Sequence, residues 1–392
     1  HLVRWIDNTI RPIGGWSTFS TDDAAAPLRG SLSWKDNSNN LYLAAGSADN
    51  LYTYTVDGDL VDITPTGLAT GREDGSANLA YGGGYYGLDY YGTERIDGAG
   101  ILPATTWALD NWGEYLVACA DTDGKIYEWQ LDRSTPTVAA VLANAPTNNR
   151  SIIVTEERFL FALGADGNAR KVQWCDREDT ATWTPAATNE AGDYELQTVG
   201  YIECGIKVRG QTLIITDQDA HSATYIGAPY VYGFQRVGNA CGIISKKAGT
   251  AVEGNAVWMG EQNFYMYDGS IVRELPCEVD DYVFRNINRD QKSKICAVSN
   301  RRFNEIWWFY PTDDSVENNA YVIYNYRENT WYIGNLGRST GVDAGVYRYP
   351  IFFCVSNYRP HQHELGFDYH SADAPYAETG AMSLGAGDNV MH

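Results

Sequence analysis

Residues 106–131, TWALDNWGEYLVACADTDGKIYEWQL, hold the pattern that decides the fold. A strand-like run (106–111) turns sharply into a second, apolar run (114–120). Asp121-Thr122-Asp123-Gly124 then turns the chain, with a glycine free to take positive φ, and an aromatic run (125–131) follows. The same order recurs at 31–36, 40–45 and 50–56, and at 151–156, 159–164 and 171–175 around Ala165-Asp166-Gly167-Asn168. Further copies read 201–208, 212–216 and 223–226; 249–252, 256–260 and 263–267; and 294–299, 305–310 and 320–326, with a partial one at 350–356. Aromatic runs start at Leu51, Ile126, Val172, Thr224, Phe264 and Tyr321. Beyond the first interval their spacing is near the ~40–50 residues of a four-stranded propeller blade. In Leu41-Tyr42-Leu43 and Ile306-Trp307-Trp308-Phe309-Tyr310 apolar side chains point to both faces, as a sheet packed between two neighbours requires. Helical signal is confined to a short stretch, 278–287. The expected fold is all-β, a β-propeller of about six to seven blades over residues 1–370, with residues 371–392 starting a further C-terminal β segment.

Composition narrows the function. Of 392 residues 44% are apolar, with 28 Tyr and 12 Trp, which is ample for a large core and excludes global disorder. The 39 Gly, mostly scattered, suit short strands and tight turns. No apolar run approaches the ~18 residues of a membrane-spanning helix. The 29 Lys+Arg against 50 Asp+Glu leave a net charge of −21. That argues against gripping a duplex or adsorbing to an anionic membrane, and is compatible with DNA that slides past without sticking. Cys119, Cys175, Cys204, Cys241, Cys277, Cys296 and Cys354 are odd in number, dispersed and never paired as Cys-x-x-Cys, so they read as reduced, mostly core thiols. A start at His1 and an end at Met391-His392, with no evident closing element, suggest part of a longer polypeptide.

The first interval is long because residues 66–100 form an insertion that includes Tyr81-Gly-Gly-Gly-Tyr85-Tyr86-Gly87-Leu88-Asp89-Tyr90-Tyr91-Gly92. Tyr81, Tyr85, Tyr86, Tyr90 and Tyr91 would give a neighbouring subunit contact area at low entropy cost; the plainer reading is a loop folded on its own propeller. Gly82-x-Gly84-x-x-Gly87 matches a dinucleotide fingerprint but lacks the strand before it and the helix after it. Asp121-Thr-Asp123 and Asp217-Gln-Asp219 lack the spaced ligands of a calcium loop and read as hairpin turns. His361 and His363 alternate onto one strand face, where two imidazoles could share a metal, yet with no third ligand they read as a solvated hairpin near His370. Gly337-Arg-Ser339-Thr-Gly341 imitates a nucleophile elbow without its following helix and reads as a turn. No catalytic, cofactor-binding or metal-binding residue is assigned, and an enzyme is not expected. A propeller glycosidase or depolymerase, or a carbohydrate-receptor-binding module, are the alternatives.

A series of motifs in fixed order resembles one known group. They run from Ile13-Gly-Gly-Trp16 through Trp107-Ala-Leu-Asp110-Asn111-Trp112-Gly113-Glu114, Ile126-Tyr-Glu-Trp129 and Asp176-Arg-Glu-Asp179 to Trp183-Thr-Pro185. Val257-Trp-Met-Gly260, Phe264-Tyr-Met-Tyr-Asp-Gly269, Arg302-Phe-Asn-Glu305-Ile-Trp-Trp-Phe-Tyr310, Tyr324-Asn-Tyr-Arg-Glu-Asn-Thr-Trp331 and His363-Glu364-x-Gly366 continue it, ending at Glu378-Thr-Gly380. Over nearly its whole length the chain resembles the tail nozzle or hub proteins of short-tailed bacteriophages, also called packaged-DNA stabilisation proteins. The resemblance implies a propeller that assembles as a ring, typically a homohexamer, below portal and adaptor proteins and above a tail tip, spike or fibre. Genomic DNA would pass through the ring's lumen without sequence-specific binding. It implies a virion protein made in the host cytoplasm, with no membrane anchor, no cofactor and no catalytic residues to carry over.

Overall fold

A computed structural model describes residues 1–7, 9–77, 100–131, 137–370 and 374–378. The chain forms a seven-bladed β-propeller, each blade a four-stranded antiparallel sheet. Blade I comprises Ser31–Lys35, Leu41–Gly46, Leu51–Tyr54 and Leu60–Asp62, in that spatial order. Blades II to VI follow the same plan over residues 107–141, 151–195, 202–239, 249–275 and 296–335. Blade VII takes three strands from the end of the chain, Arg338–Val342, Ile351–Cys354 and Pro360–His363, and its fourth, Trp16–Thr18, from the beginning.

The second strand of each blade explains why blades must stack. Tyr115–Ala120, Gln211–Thr216 and Glu305–Tyr310 are buried along almost their whole length, so apolar side chains leave the sheet on both faces. The core is accordingly a series of layers between neighbouring blades. One layer joins Leu43, Tyr52 and Tyr54 of blade I to Ile351 and Phe353 of blade VII. Another joins Val117, Cys119 and Ile126 of blade II to Ile152, Leu160 and Ala162 of blade III. Indoles tie adjacent blades together: Trp107 donates to the Ser47 carbonyl at 2.6 Å and Trp308 to the Ala248 carbonyl at 2.9 Å. Each satisfies its own N–H while burying a large apolar body.

The first strands of neighbouring blades approach one another all the way round, so they line the central axis. Seven stacked blades still leave two free faces unless first and last meet. Trp16–Thr18 completes the circle by pairing with Pro360–His363, Trp16 opposite His363 and Thr18 opposite His361. A hairpin just upstream, Val3–Ile6 with Thr9–Pro12, adds a charged clamp. Arg4 is 2% exposed; it donates to Glu305 of blade VI at 2.8 Å and to Glu364 beyond blade VII at 2.9 Å. Burial pushes the Glu305 carboxyl up to about 7 against the pull of Arg4.

Most expected strands stand, as does the short helix, formed by Asp280–Arg285. The segment around Ser339 is a correction: Arg338–Val342 is the innermost strand of blade VII, not a turn. The proposed C-terminal segment, 371–392, lies outside the described residues apart from 374–378, where Tyr376 exchanges backbone hydrogen bonds with His1. Among the described residues no helix is long and apolar enough to cross a membrane.

Removing Arg4 strands two buried carboxylates, so Arg4→Met is expected to cost roughly 3–5 kcal/mol at neutral pH. Glu305→Gln, which keeps shape and leaves Arg4 its Glu364 partner, is expected to cost less. A group whose carboxyl is raised by folding favours the folded state at low pH. Without Arg4 the folded carboxyl is raised further, so the Arg4→Met penalty is largest at alkaline pH and shrinks as pH falls towards about 7, below which Glu305 is protonated in both folded chains. Urea unfolding of both variants across that range checks the order and the slope.

Candidate functional site

The seven first strands lie side by side around the axis, and charged side chains on or beside several of them meet there. Lys207 of blade IV reaches Asp110 of blade II at 2.8 Å, a chord that skips blade III. Asp110 also accepts from the Val154 amide at 2.8 Å, which fixes the carboxylate to blade III. Nearer the mouth Lys246, just before blade V, reaches Asp121 in a turn of blade II at 2.7 Å. Asp121 in turn accepts from the Thr106 amide at 2.9 Å. Arg150 bonds Glu203 at 3.2 Å with its guanidinium 4.5 Å over the Tyr201 ring. The first two of these contacts join non-adjacent blades and the third joins blades III and IV, so charged side chains fill space around the axis.

Lys247 enters the same space beside Cys204, Asp110 and Asp121 and makes no ion pair among the described residues. Burial pushes its ammonium down to about 8, with Lys246 adding to the shift and the Cys204 and Asp110 sides opposing it. The axial thiols are of another kind. Burial pushes Cys119, Cys204 and Cys296 up to about 12, so they stay protonated and unreactive at neutral pH.

The base of the insertion roofs this mouth. Ser76–Ala77 pairs with Ile101–Leu102 in a short antiparallel stem. On the far side of the ring the stem docks on residues 289–294, between blades V and VI. Gly75 and Gln291 exchange hydrogen bonds of 2.8 and 2.9 Å, and the Ala104 amide donates to Ser293 at 3.0 Å. Lys294 binds Asp74 and Glu317, and Glu317 also takes Arg29 from the segment leading into blade I. A Cβ on Gly75 would sit 2.1 Å from the Asp290 carbonyl oxygen, so the docking needs glycine there. Beneath the stem a cavity of about 230 Å³ is lined by Ile101, Pro103, Asp121, Arg150, Glu203 and Lys246, among others.

The expected contact residues Tyr81, Tyr85, Tyr86, Tyr90 and Tyr91, and with them the Gly82–Gly87 motif, lie outside the described residues. Asp121-Thr-Asp123 and Asp217-Gln-Asp219 are turns, as expected; Asp219 is held by Thr198, Thr216 and His221. His361 and His363 share a strand face but are not solvated: they are 6% and 2% exposed, inside blade VII. Among the described residues no three His, Cys, Asp or Glu side chains group as metal ligands.

No protein-family model and no curated protein matches the chain. Solved propellers do match in fold. A streptogramin B lyase superposes with a TM-score of 0.51 at 10% identity, over 90% of this chain and 97% of its own. A virginiamycin B lyase from Staphylococcus aureus gives 0.48 at 9% identity, over 89% and 98%. The β-propeller domain of Myceliophteria thermophila Cps50 (Swd1) gives 0.47 at 8% identity, over 89% and 99%. At such identities the likeness is one of fold. It overturns the expectation that the chain is not an enzyme, because the same propeller plan carries a lyase and so gives no ground for excluding catalysis.

Folding lowers the Lys247 ammonium, so its charge opposes the folded state below about 8, and that cost is relieved as pH rises towards its usual 10.5. Lys247→Met is expected to stabilise the protein at neutral pH by on the order of 1 kcal/mol. The advantage over the unsubstituted chain fades above pH 10; thermal melts at neutral and alkaline pH test both halves.

Proposed function

We propose that this propeller is a ring-forming structural protein of a short-tailed bacteriophage tail, a nozzle or hub that extends and closes the DNA ejection channel. The observation that carries the reading is the stem. Ser76–Ala77 and Ile101–Leu102 make the Tyr/Gly-rich segment leave and re-enter the propeller at one rigid point. Its far-side docking on Gln291, Ser293 and Lys294 holds that point over the axial mouth. A tyrosine-rich segment on a fixed base is suited to reach a neighbouring copy.

In this reading the conduit lies between copies, not along the propeller axis. Inner-strand side chains such as Lys207 and Asp110, 2.8 Å apart, reach into the axial space, and a duplex whose major groove alone is about 12 Å wide is too large to thread between them. The lumen belongs to the ring, six copies in the phage proteins this chain resembles. With a net charge of −21 per chain its wall repels phosphate, so DNA slides under pressure without trapping. Portal or adaptor proteins would contact one face of the ring, and a tail tip, spike or fibre the other. The protein would be made in the host cytoplasm and reside in the virion.

Replacing residues 78–99 by an Asn-Gly turn between Ala77 and Gly100 preserves the antiparallel stem. The shortened chain is expected to keep its unfolding midpoint and to lose ring assembly, read by native mass spectrometry and electron microscopy of purified protein and of tails. Intact rings without the segment would dismiss the tyrosines as the contact; monomers from the unaltered chain in assembled tails would dismiss the ring.

A further inference from the structure

The cavity of about 230 Å³ beneath the stem departs from the charge of the chain around it. The chain carries a net −21, yet Arg150, Lys246, Arg289 and Lys292 face only Asp121, Glu203 and Asp290 across this space. Burial sorts these groups. Lys246 and Asp121, 13% and 11% exposed, pair at 2.7 Å, and Arg150 pairs with the half-buried Glu203 at 3.2 Å. Asp121 also accepts from the amide and the hydroxyl of Thr106, at 2.9 and 3.1 Å. Both buried carboxylates are therefore committed. Lys247, next to Lys246, adds a cation with no ion pair among the described residues, while Asp110 is answered by Lys207. At the rim Arg289 and Lys292 share Glu261 at 2.5 Å each, and Asp290 is exposed to water. The surplus positive charge lies where water screens it least.

The hydrogen-bonding groups are unbalanced in the same sense. Arg150 is held flat: its Nε donates to the Ile202 carbonyl at 2.9 Å, its Nη2 to Glu203, and its plane lies 4.5 Å over the Tyr201 ring. Its Nη1 has no partner among the described residues and is not enclosed by protein; the side chain is 35% exposed, so this edge is open to a ligand. The Tyr201 hydroxyl is likewise unpartnered among the described residues, on a side chain 37% exposed. Ser293 Oγ accepts from the Ala104 amide at 3.0 Å, which leaves its O–H to donate. Lys246 and Lys292 each spend one of three N–H groups on an ion pair. Five side chains from the entries to blades III, IV and V and from the 289–294 segment thus keep spare donors around one space. Opposite them Ile101 and Pro103 of the stem region and Ile244 form an apolar wall.

We propose that this cavity binds a small phosphomonoester. Its phosphate is held by Arg150, Tyr201, Ser293, Lys246 and Lys292. Its carbon body packs on Ile101, Pro103 and Ile244. A phosphate dianion offers three acceptor oxygens and so uses more of these donors than the two oxygens of a carboxylate. At ~30 Å³ per water the cavity has room for about eight waters, enough for a phosphate and a short carbon chain. A duplex is far too large to enter beneath the stem, so the site does not trap DNA. No wall residue falls between Ala77 and Gly100, and the site stands whether or not the chain forms a ring.

The experiment uses the full chain at about 0.15 M salt, where screening over ~8 Å keeps the acidic exterior from dominating. The probes are n-butyl phosphate, inorganic phosphate, pentanoate and butanol. Calorimetry is expected to show one saturable site per chain for butyl phosphate. Inorganic phosphate, without the carbon chain, should bind about tenfold more weakly, pentanoate more weakly than butyl phosphate, and butanol not at all. Tyr201→Phe keeps the ring under Arg150 and should weaken butyl phosphate several-fold; Arg150→Gln should weaken it roughly tenfold or more. Asp290→Asn removes a repelling charge and should tighten it. Lys247→Met gives the sharpest contrast: it should raise the melting temperature of the free protein and yet weaken butyl phosphate, two opposite shifts that a purely structural lysine does not produce.

A crystal soaked with tungstate, a phosphate mimic, locates the anion by anomalous scattering without any variant. A peak among Arg150, Lys246 and Lys292 is expected; a peak only elsewhere would overturn the site. So would the absence of saturable binding, or affinities unchanged in both Arg150→Gln and Tyr201→Phe. Inorganic phosphate or pentanoate binding as tightly as butyl phosphate would overturn the phosphomonoester assignment. The chain shortened between Ala77 and Gly100 should bind butyl phosphate like the full chain, which separates failure of this site from failure of the ring.

Discussion

The constraint that governs this molecule is closure. Each blade is apolar on both faces, so no blade is satisfied until it has a neighbour on each side, and an open row of seven would leave its two end faces wet. The chain resolves this at its two ends: Trp16–Thr18 supplies the outer strand of the sheet whose other three strands come last. The pairing does more than add a few hydrogen bonds. It makes the first and last parts of the sequence a single sheet, so that the layer between blade VII and blade I forms only when the whole ring is in place. Arg4 reinforces the same joint by binding a carboxylate of blade VI and another just past blade VII. A buried ion pair is weak evidence of net stability, but it is a strong device for register. Arg4 fits its two carboxylates only when the hairpin, blade VI and the end of blade VII are all in position.

Closure also decides where chemistry collects. In a ring the first strands must converge, and side chains that would lie apart on a flat sheet come within reach of one another. Lys207 and Asp110 are far apart in sequence and two blades apart in space, yet they meet at 2.8 Å because both sit on inner strands. The same convergence leaves Lys247 beside an axis already committed to other pairs. The stem of the insertion closes over this end with backbone-to-side-chain bonds to Gln291 and Ser293, which are specific in direction and need little apolar area.

What could be read from the sequence follows the same division. The second and third strands were legible because burial on both faces gives dense apolar runs such as Tyr115–Ala120 and Glu305–Tyr310. Fourth strands such as Leu60–Asp62 and Ala140–Val141 are short and partly exposed, so nothing in their composition marks them. Trp16 stood out as part of a motif, but its pairing with a strand hundreds of residues later has no local signal. Ser339 was misread as a turn because glycine on either side of it resembles loop sequence; in blade VII a Cβ on Gly341 would sit 2.6 Å from the Phe352 ring, so a strand needs glycine there. The pair His361 and His363 was visible as alternation, which placed them correctly on one face. Which face was not visible, and burial against Arg338 and Trp16 changes them from solvated side chains to members of an enclosed cluster.

The charge of the chain acquires a location from the fold. Among the described residues Arg4, Arg29, Lys294 and Arg338 are buried, and so are Asp110, Asp219 and Glu305. Cations and carboxylates leave the surface in nearly equal measure, so the excess of acid stays outside. The cations that remain inside are concentrated at joints and cavities: Arg4 at the closing seam, Lys294 under the stem, Arg338 beside Cys354. An acidic exterior and a few interior cations are therefore two results of one partition. The exterior repels phosphate over distances set by ionic screening. Each interior cation acts over a few ångströms on a single named partner. A strongly acidic surface and a buried cation can thus coexist in one chain, because the first depends on the sum of the charges and the second only on where Arg338 is held.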